Sequence, residues 1–213
     1  METSLPVVEC FHSLQGEGAH AGKSAYFIRL ASCKVGCSWC DTKDSWNPEA
    51  HPKISLIDLS NKAAKAQEEG AAFVVITGGE PLHHNLNFLC KELRKSTLNQ
   101  ENKSMPIHLE TSGVDILSGK PDWITLSPKR HCPPLVETLL ACQELKVVIH
   151  NEKDLYFAET MADKTNNNVN TRPQLFLQPG WNNQEGQFLA FNYVKNHPHW
   201  RLSMQTHKWL GVL

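Results

Sequence analysis

The sequence contains no long apolar run, no low-complexity tract and no internal repeat. These absences exclude a helical membrane protein, a solenoid and a disordered chain. Charge of either sign is not in excess: 21 basic side chains face 22 acidic ones, for a net charge of −1. No general pull toward a polyanion follows, so nucleic acid is not expected as a direct partner. The start, Met1 to Cys10, has no basic residues leading into an apolar stretch, so no secretory signal is expected, and the default location is the cytoplasm with reduced thiols. Nor is there a linker rich in Gly, Pro or Ser, so the 213 residues are expected to form a single domain, 1–213.

Short apolar runs with β-branched or aromatic character occur at 25–30, 73–77, 107–110, 123–126, 145–149, 175–178 and 201–204. They are expected as buried strands. Between most of them lie helical patterns, at 55–69, 86–95, 135–142, 153–162 and 185–196, with apolar residues recurring three and four apart. The connection from the third strand to the fourth is too short for a clear helix. Strand alternating with helix implies right-handed crossovers and a mostly parallel α/β sheet. It curls into an incomplete barrel or stays an open doubly wound sheet. The polar stretch 166–170 reads as a surface loop.

Seven cysteines are present, and three of them, Cys33, Cys37 and Cys40, form a C-x3-C-x2-C run just after the first expected strand. In a chain with no sign of secretion such spacing indicates metal or redox chemistry rather than disulfides. Three thiolates without a fourth suit a [4Fe–4S] cube that leaves one iron open. They also suit a zinc knuckle closed by a histidine such as His12, His20 or His51. Cys10, Cys90, Cys132 and Cys142 have no ligand spacing and read as structural.

Other polar residues gather where strands end. Thr77-Gly78-Gly79-Glu80-Pro81 follows the second strand, and its paired glycines permit a close approach by a ligand or by the cysteine loop. Glu110-Thr111-Ser112, Ser127-Pro128-Lys129, Gln178-Pro179 and Gln205-Thr206-His207 follow later strands. In a parallel α/β fold these positions share the rim where ligands bind. Gln15-Gly16-Glu17-Gly18 offers an amide and a carboxylate on flexible backbone, able to read a polar heterocycle or simply to form an exposed loop. Arg29 interrupts an apolar strand and needs a partner, either a substrate carboxylate or a structural ion pair. Asp41-Thr42 offers hard oxygens suited to Mg²⁺, or a turn cap.

The cysteine run with Trp39, the Gly-Gly-Glu-Pro turn and the spacing between them resemble the radical S-adenosylmethionine (SAM) superfamily. More narrowly, Leu14–Gly18, Cys40-Asp41-Thr42, Thr77–Pro81, Glu110–Gly113, Ser127–Lys129 and Arg201–Lys208 resemble the 7-carboxy-7-deazaguanine synthase family of queuosine biosynthesis. That resemblance implies a homodimer with a modified, incomplete (β/α) barrel. The reaction it implies takes 6-carboxy-5,6,7,8-tetrahydropterin to 7-carboxy-7-deazaguanine with loss of ammonia. A 5′-deoxyadenosyl radical from catalytically used SAM would start the rearrangement, with a flavodoxin-like protein as the source of electrons.

The resemblance also distributes roles. Cys33, Cys37 and Cys40 would hold the [4Fe–4S] cluster and Thr42 the Mg²⁺. Leu14, Gln15, Gly16, Arg29 and Thr77 would meet the substrate, with Gln15, Glu17, Arg29 and Thr77 as catalytic residues. Trp39, Asp41, Gly79, Glu80, Glu110, Ser127, Pro128, Lys129 and Gln178 would serve SAM. A different radical SAM reaction, such as activation of a glycyl-radical enzyme, would share the cluster and the Gly-Gly-Glu-Pro turn but has no evident need for the Gln15–Gly18 loop, Arg29 and Thr42.

Overall fold

A computed structural model describes residues 3–165 and 172–212. Among the described residues nine strands form one sheet: β1 (Ser4–Leu14), β2 (Ser24–Leu30), β3 (Lys53–Ser55), β4 (Phe73–Gly78), β5 (Ile107–Thr111), β6 (Trp123–Leu126), β7 (Glu144–Ile149), β8 (Gln174–Pro179) and β9 (Trp200–Leu202). Their spatial order is β3-β1-β2-β4-β5-β6-β7-β8-β9. From β2 to β9 every pairing is parallel. The helices are α1 (Leu56–Glu68), α2 (Asn87–Ser96), α3 (Val136–Ala141), α4 (Glu152–Thr165), α5 (Gln184–Asn196) and α6 (Thr206–Leu210). The two ends of the sheet, β3 and β9, do not pair with each other, so the barrel is incomplete, as the family resemblance implied.

Seven expected strands and five expected helices are present, with boundaries shifted by at most a few residues. The segment between β5 and β6 carries no helix, in keeping with its short length. Two strands went unread. β1 and β3 pair antiparallel along the open edge. The long β1 has a register shift between Val7 and Glu9 and is only partly buried along much of its length, so its apolar pattern is diluted. The loop expected at 166–170 lies outside the described residues. No described helix is long and apolar enough to cross a membrane.

Alternation along the strands places the site. Tyr26, Ile28, Leu30, Val74, Ile76, Ile107 and Leu109 point outward into a core shared with Leu59, Ala63, Leu89 and Leu93 of α1 and α2. A second core joins Leu126, Leu145, Val147, Ile149 and Leu177 to α3–α5. Each such fully buried aliphatic side chain contributes roughly 1.5–3 kcal/mol relative to exposure. The intervening residues face the concave side. Their lower layer is apolar or aromatic: Ala25, Phe27, Phe73 and Val75, with His108 stacked on Phe73 at 4.1 Å between centroids. Higher up the same alternation presents Arg29, Thr77, Glu110, Lys146 and Gln178, so the polar residues collect toward the C-terminal ends of the strands.

Helix α1 shows how local chemistry sets these elements. Ser55 caps it, accepting from the Asp58 amide at 3.0 Å while its hydroxyl donates to the Asp58 carboxylate at 2.7 Å. Leu56, Leu59, Ala63 and Ala66 then fall on the buried face at helical spacing.

Candidate active site

Strand β2 delivers the chain directly into the cysteine loop, and the end of β4 lies against it. The Gly79 amide donates to the Leu30 carbonyl at 2.9 Å and the Glu80 amide to the Ser32 carbonyl at 2.8 Å, so the Gly-Gly-Glu turn continues the pairing of β2 with β4. A Cβ on Gly79 would stand 2.4 Å from the Ser32 oxygen and 3.0 Å from the Cys33 Cβ. Only glycine allows this approach.

The loop gathers three free thiols, Cys33, Cys37 and Cys40, in one electrostatic neighbourhood. Burial pushes Cys33 and Cys37 up from their ordinary range; the neighbouring thiols add to this, while Lys129 pulls Cys37 back down. Among the described residues no three His, Cys, Asp or Glu side chains are already posed around a metal position. The donor set nonetheless fits a three-thiolate cluster. The histidines named above as candidates to close a zinc knuckle are engaged with other groups: His12 with Ser24 at 2.8 Å, His51 with the Asp44 carbonyl at 2.9 Å, and His20 with the Trp123 ring at 4.5 Å.

Across the rim, Glu110 draws together residues far apart in sequence. Its carboxylate accepts from Gln15 Nε2 at 2.9 Å and from Thr77 Oγ1 at 3.0 Å. Glu17 accepts from Gln205 Nε2 at 2.9 Å and pairs with the buried Lys146 ammonium. Burial alone would raise the Glu17 carboxyl, but Lys146 overrides it and holds the group at about 2. Lys146 is pushed up in turn: burial disfavours its charge, and Glu17, Glu110 and Glu144 more than compensate. Gly16 lies under His207, whose Nδ1 would be 2.1 Å from a Cβ there, and its carbonyl accepts from the Thr206 amide at 3.0 Å.

Arg29 rests its Nε on Glu9 Oε1 at 2.8 Å, an ion pair with the unread strand β1. The guanidinium carries four further N–H donors. Leu14, at the end of β1, is 43 % exposed. Trp39 is equally exposed and touches the rings of His131 and His150 at 5.4 and 5.0 Å. Asp41 pairs with Lys208 of α6, which ties the chain's last helix to the cysteine loop. Thr42 Oγ1 is 3.6 Å from Cys40 Sγ. Ser127 accepts from Lys129 Nζ at 2.8 Å; burial pushes that ammonium down, partly offset by Cys37. Pro128 is buried, and Gln178 accepts from Ser203 Oγ at 2.8 Å.

Glu80 is held by groups of the protein itself. It is 1 % exposed, and its carboxylate accepts from the Leu82 amide at 3.0 Å, the Ser112 amide at 2.8 Å and the hydroxyls of Thr111 and Ser112. Those four bonds match a carboxylate's acceptor capacity and lock the end of β4 to the end of β5.

Sequence reasoning missed Glu9, Lys146 and Ser203. Lys146 had the same signal as Arg29, a charge interrupting the apolar run of 145–149. Glu9 was hidden because its strand was unread.

A thiol loop at the end of the first parallel strand, a glycine turn packed on it and a polar concave rim define the radical SAM class, and the chain matches the model described as "Radical SAM superfamily" over residues 28–129. It is 58 % identical to a 7-carboxy-7-deazaguanine synthase of Prochlorococcus marinus, with 100 % of each chain covered. It is 44 % identical to one of Synechocystis, covering 100 % of this chain and 95 % of the other. Among solved structures, QueE from Escherichia coli matches with a TM-score of 0.80 and 30 % identity over 95 % of this chain and 94 % of that one. The chain belongs to the 7-carboxy-7-deazaguanine synthase family. The match to the radical SAM superfamily model implies a [4Fe–4S] cluster and SAM.

Proposed function

We propose that this chain, acting as a single domain, converts 6-carboxy-5,6,7,8-tetrahydropterin to 7-carboxy-7-deazaguanine with loss of ammonia. The observation that carries the reading is the junction of Gln15, Thr77 and Glu110, which assembles amide, hydroxyl and carboxylate on the concave rim beside the cysteine loop. Such a set can read the donors and acceptors around a pterin ring. Cys33, Cys37 and Cys40 would hold the cluster, which with SAM bound supplies a 5′-deoxyadenosyl radical.

The remaining work belongs to the chain's own residues. Arg29, steadied through Nε by Glu9, would offer its other donors to the substrate carboxylate, whose geometry its planar fork matches. Glu17, held ionised by Lys146, stays an acceptor and would take hydrogen bonds from ring N–H groups rather than give up a proton. Leu14 and Gly16 would complete the substrate wall, with His207 filling the space that a side chain at residue 16 would need. Trp39, Asp41, Gly79, Ser127, Pro128, Lys129 and Gln178 would line SAM. Glu80 would brace this wall from behind, and Glu110 would serve the substrate rather than SAM. Thr42 would offer a hard oxygen to Mg²⁺, which takes its other ligands from water and substrate. The reading includes a homodimer, a flavodoxin-like electron donor and a cytoplasmic location, in keeping with seven unpaired cysteines.

The test is anaerobic reconstitution followed by incubation with SAM, Mg²⁺, a reductant and 6-carboxytetrahydropterin. Mass spectrometry is expected to find 7-carboxy-7-deazaguanine. SAM cleavage without that product would overturn the substrate, and protein that takes up no iron–sulfur chromophore would overturn the cluster.

A further inference from the structure

The backbone of the cysteine loop is held by imidazoles. The Lys34 amide donates to Nε2 of His83 at 3.0 Å, and Nδ1 of the same ring faces the Asp115 carboxylate. A ring that accepts at Nε2 carries its proton at Nδ1, so Asp115 selects the tautomer that can accept from the loop. His84, next in sequence, donates from Nε2 to the Ala31 carbonyl at 2.7 Å. His131, from the segment after β6, donates from Nε2 to the Val35 carbonyl at 3.0 Å. Three backbone groups between Ala31 and Val35 are thereby pinned from two other parts of the fold.

What the pinned backbone presents is chemically specific. The Val35 and Gly36 amides follow on this pinned stretch, between the Cys33 and Cys37 thiols, and favour the Cys33 thiolate. Hydrogen bonds to cluster sulfurs favour the more negatively charged, reduced state and are among the levers that set an iron–sulfur potential. Without an acceptor for its amide, the Cys33–Lys34 peptide loses an anchor and the Val35 amide after it loses direction, while the Gly36 amide stays held through the Val35 carbonyl by His131.

We propose that His83, oriented by Asp115 and seconded by His84 and His131, is a positioning residue that fixes the Cys33–Cys37 backbone and so sets the retention and reduction potential of the cluster. This rests on the reading that the three cysteines hold a [4Fe–4S] cluster, and the experiment separates the two. In protein without the cluster, exchange of the Lys34 amide is followed by NMR. His83→Leu removes the acceptor and is expected to speed that exchange about fivefold, the worth of one net hydrogen bond. His83→Gln, whose amide oxygen can accept, is expected to restore most of the protection. In reconstituted protein, His83→Leu is expected to shift the midpoint potential to more negative values by about 59 mV, a tenfold change for a one-electron couple. Iron is also expected to pass to a chelator several-fold faster. Unchanged Lys34 exchange overturns the clamp. Faster exchange with unchanged potential and iron release overturns its effect on the cluster, leaving only a fold-supporting contact. Wild-type protein that assembles no cluster overturns the functional reading together with the cluster part of this inference, while the exchange measurement still judges the clamp.

Discussion

Replacing Glu80 by alanine separates two roles for a residue inside the Gly-Gly-Glu-Pro turn. The substitution removes a carboxylate that accepts four hydrogen bonds at a site 1 % exposed. The hydroxyls of Thr111 and Ser112 can rotate toward other acceptors, and Thr111 Oγ1 already accepts from the Gly113 amide at 2.9 Å. The Leu82 and Ser112 amides cannot rotate away. Each buried donor left unmade costs about 1–3 kcal/mol, so the two together cost about 2–6 kcal/mol. That is a large share of a typical stability of about 5–15 kcal/mol. Urea denaturation of cluster-free protein, read as the change in midpoint at constant slope, measures it. Glu80→Gln keeps one acceptor oxygen and should lose about half as much by the same reasoning. A Glu80→Ala protein within about 1 kcal/mol of wild type, well under the cost of two orphaned donors, but with a raised KM for SAM, would refute the brace and return Glu80 to the SAM pocket.

Gly79→Ala should cost about 1–3 kcal/mol, because its Cβ would meet backbone at 2.4 Å rather than a side chain that can swing away; equal urea midpoints for variant and wild type would contradict the packing. Cys37→Ala should abolish the iron–sulfur absorption while the folded core survives, since the other ligand thiols cannot hold the cube alone; a full chromophore would remove Cys37 from the ligand set. Acid should weaken the fold through Glu17: its folded pKa of about 2 lies below the ordinary 4.5, so its stabilisation is complete above about 4.5 and is lost as pH falls toward 2. Glu17→Gln should flatten that limb of a stability-against-pH curve, and an unchanged limb would deny the Lys146 pairing its role. His108 acts over a higher window: burial, with His20 beside it, holds the ring at about 3 against an ordinary 6.5. Between those values the unfolded chain takes a proton that the folded one refuses, so stability falls as pH drops from about 6.5. His108→Phe, which keeps a ring against Phe73, should remove that slope; persistence of the slope would point to another group.

The parallel strands and their helices were legible because both periodicities are strong where an element is buried on one face or two. The cysteine run and the glycine turn were equally legible, since their chemistry is written in consecutive residues. Strand β1 was not, because an edge strand with a bulge mixes buried and exposed positions and weakens the alternation that would announce it. Arg29 was singled out correctly as a charge in need of a partner, but its partner Glu9 lies on that unread strand.

The sequence by itself determined the fold class, the three thiols and the family, because these depend on residue type and local spacing. Only the tertiary structure decided which distant groups meet: Gln15 and Thr77 on Glu110, Lys146 on Glu17, Lys208 on Asp41, and Thr111 and Ser112 on Glu80. The physical reason is that the energy of a buried polar group depends on the partner it finds. In a barrel those partners come from strands dozens of residues apart, whose register no local pattern records.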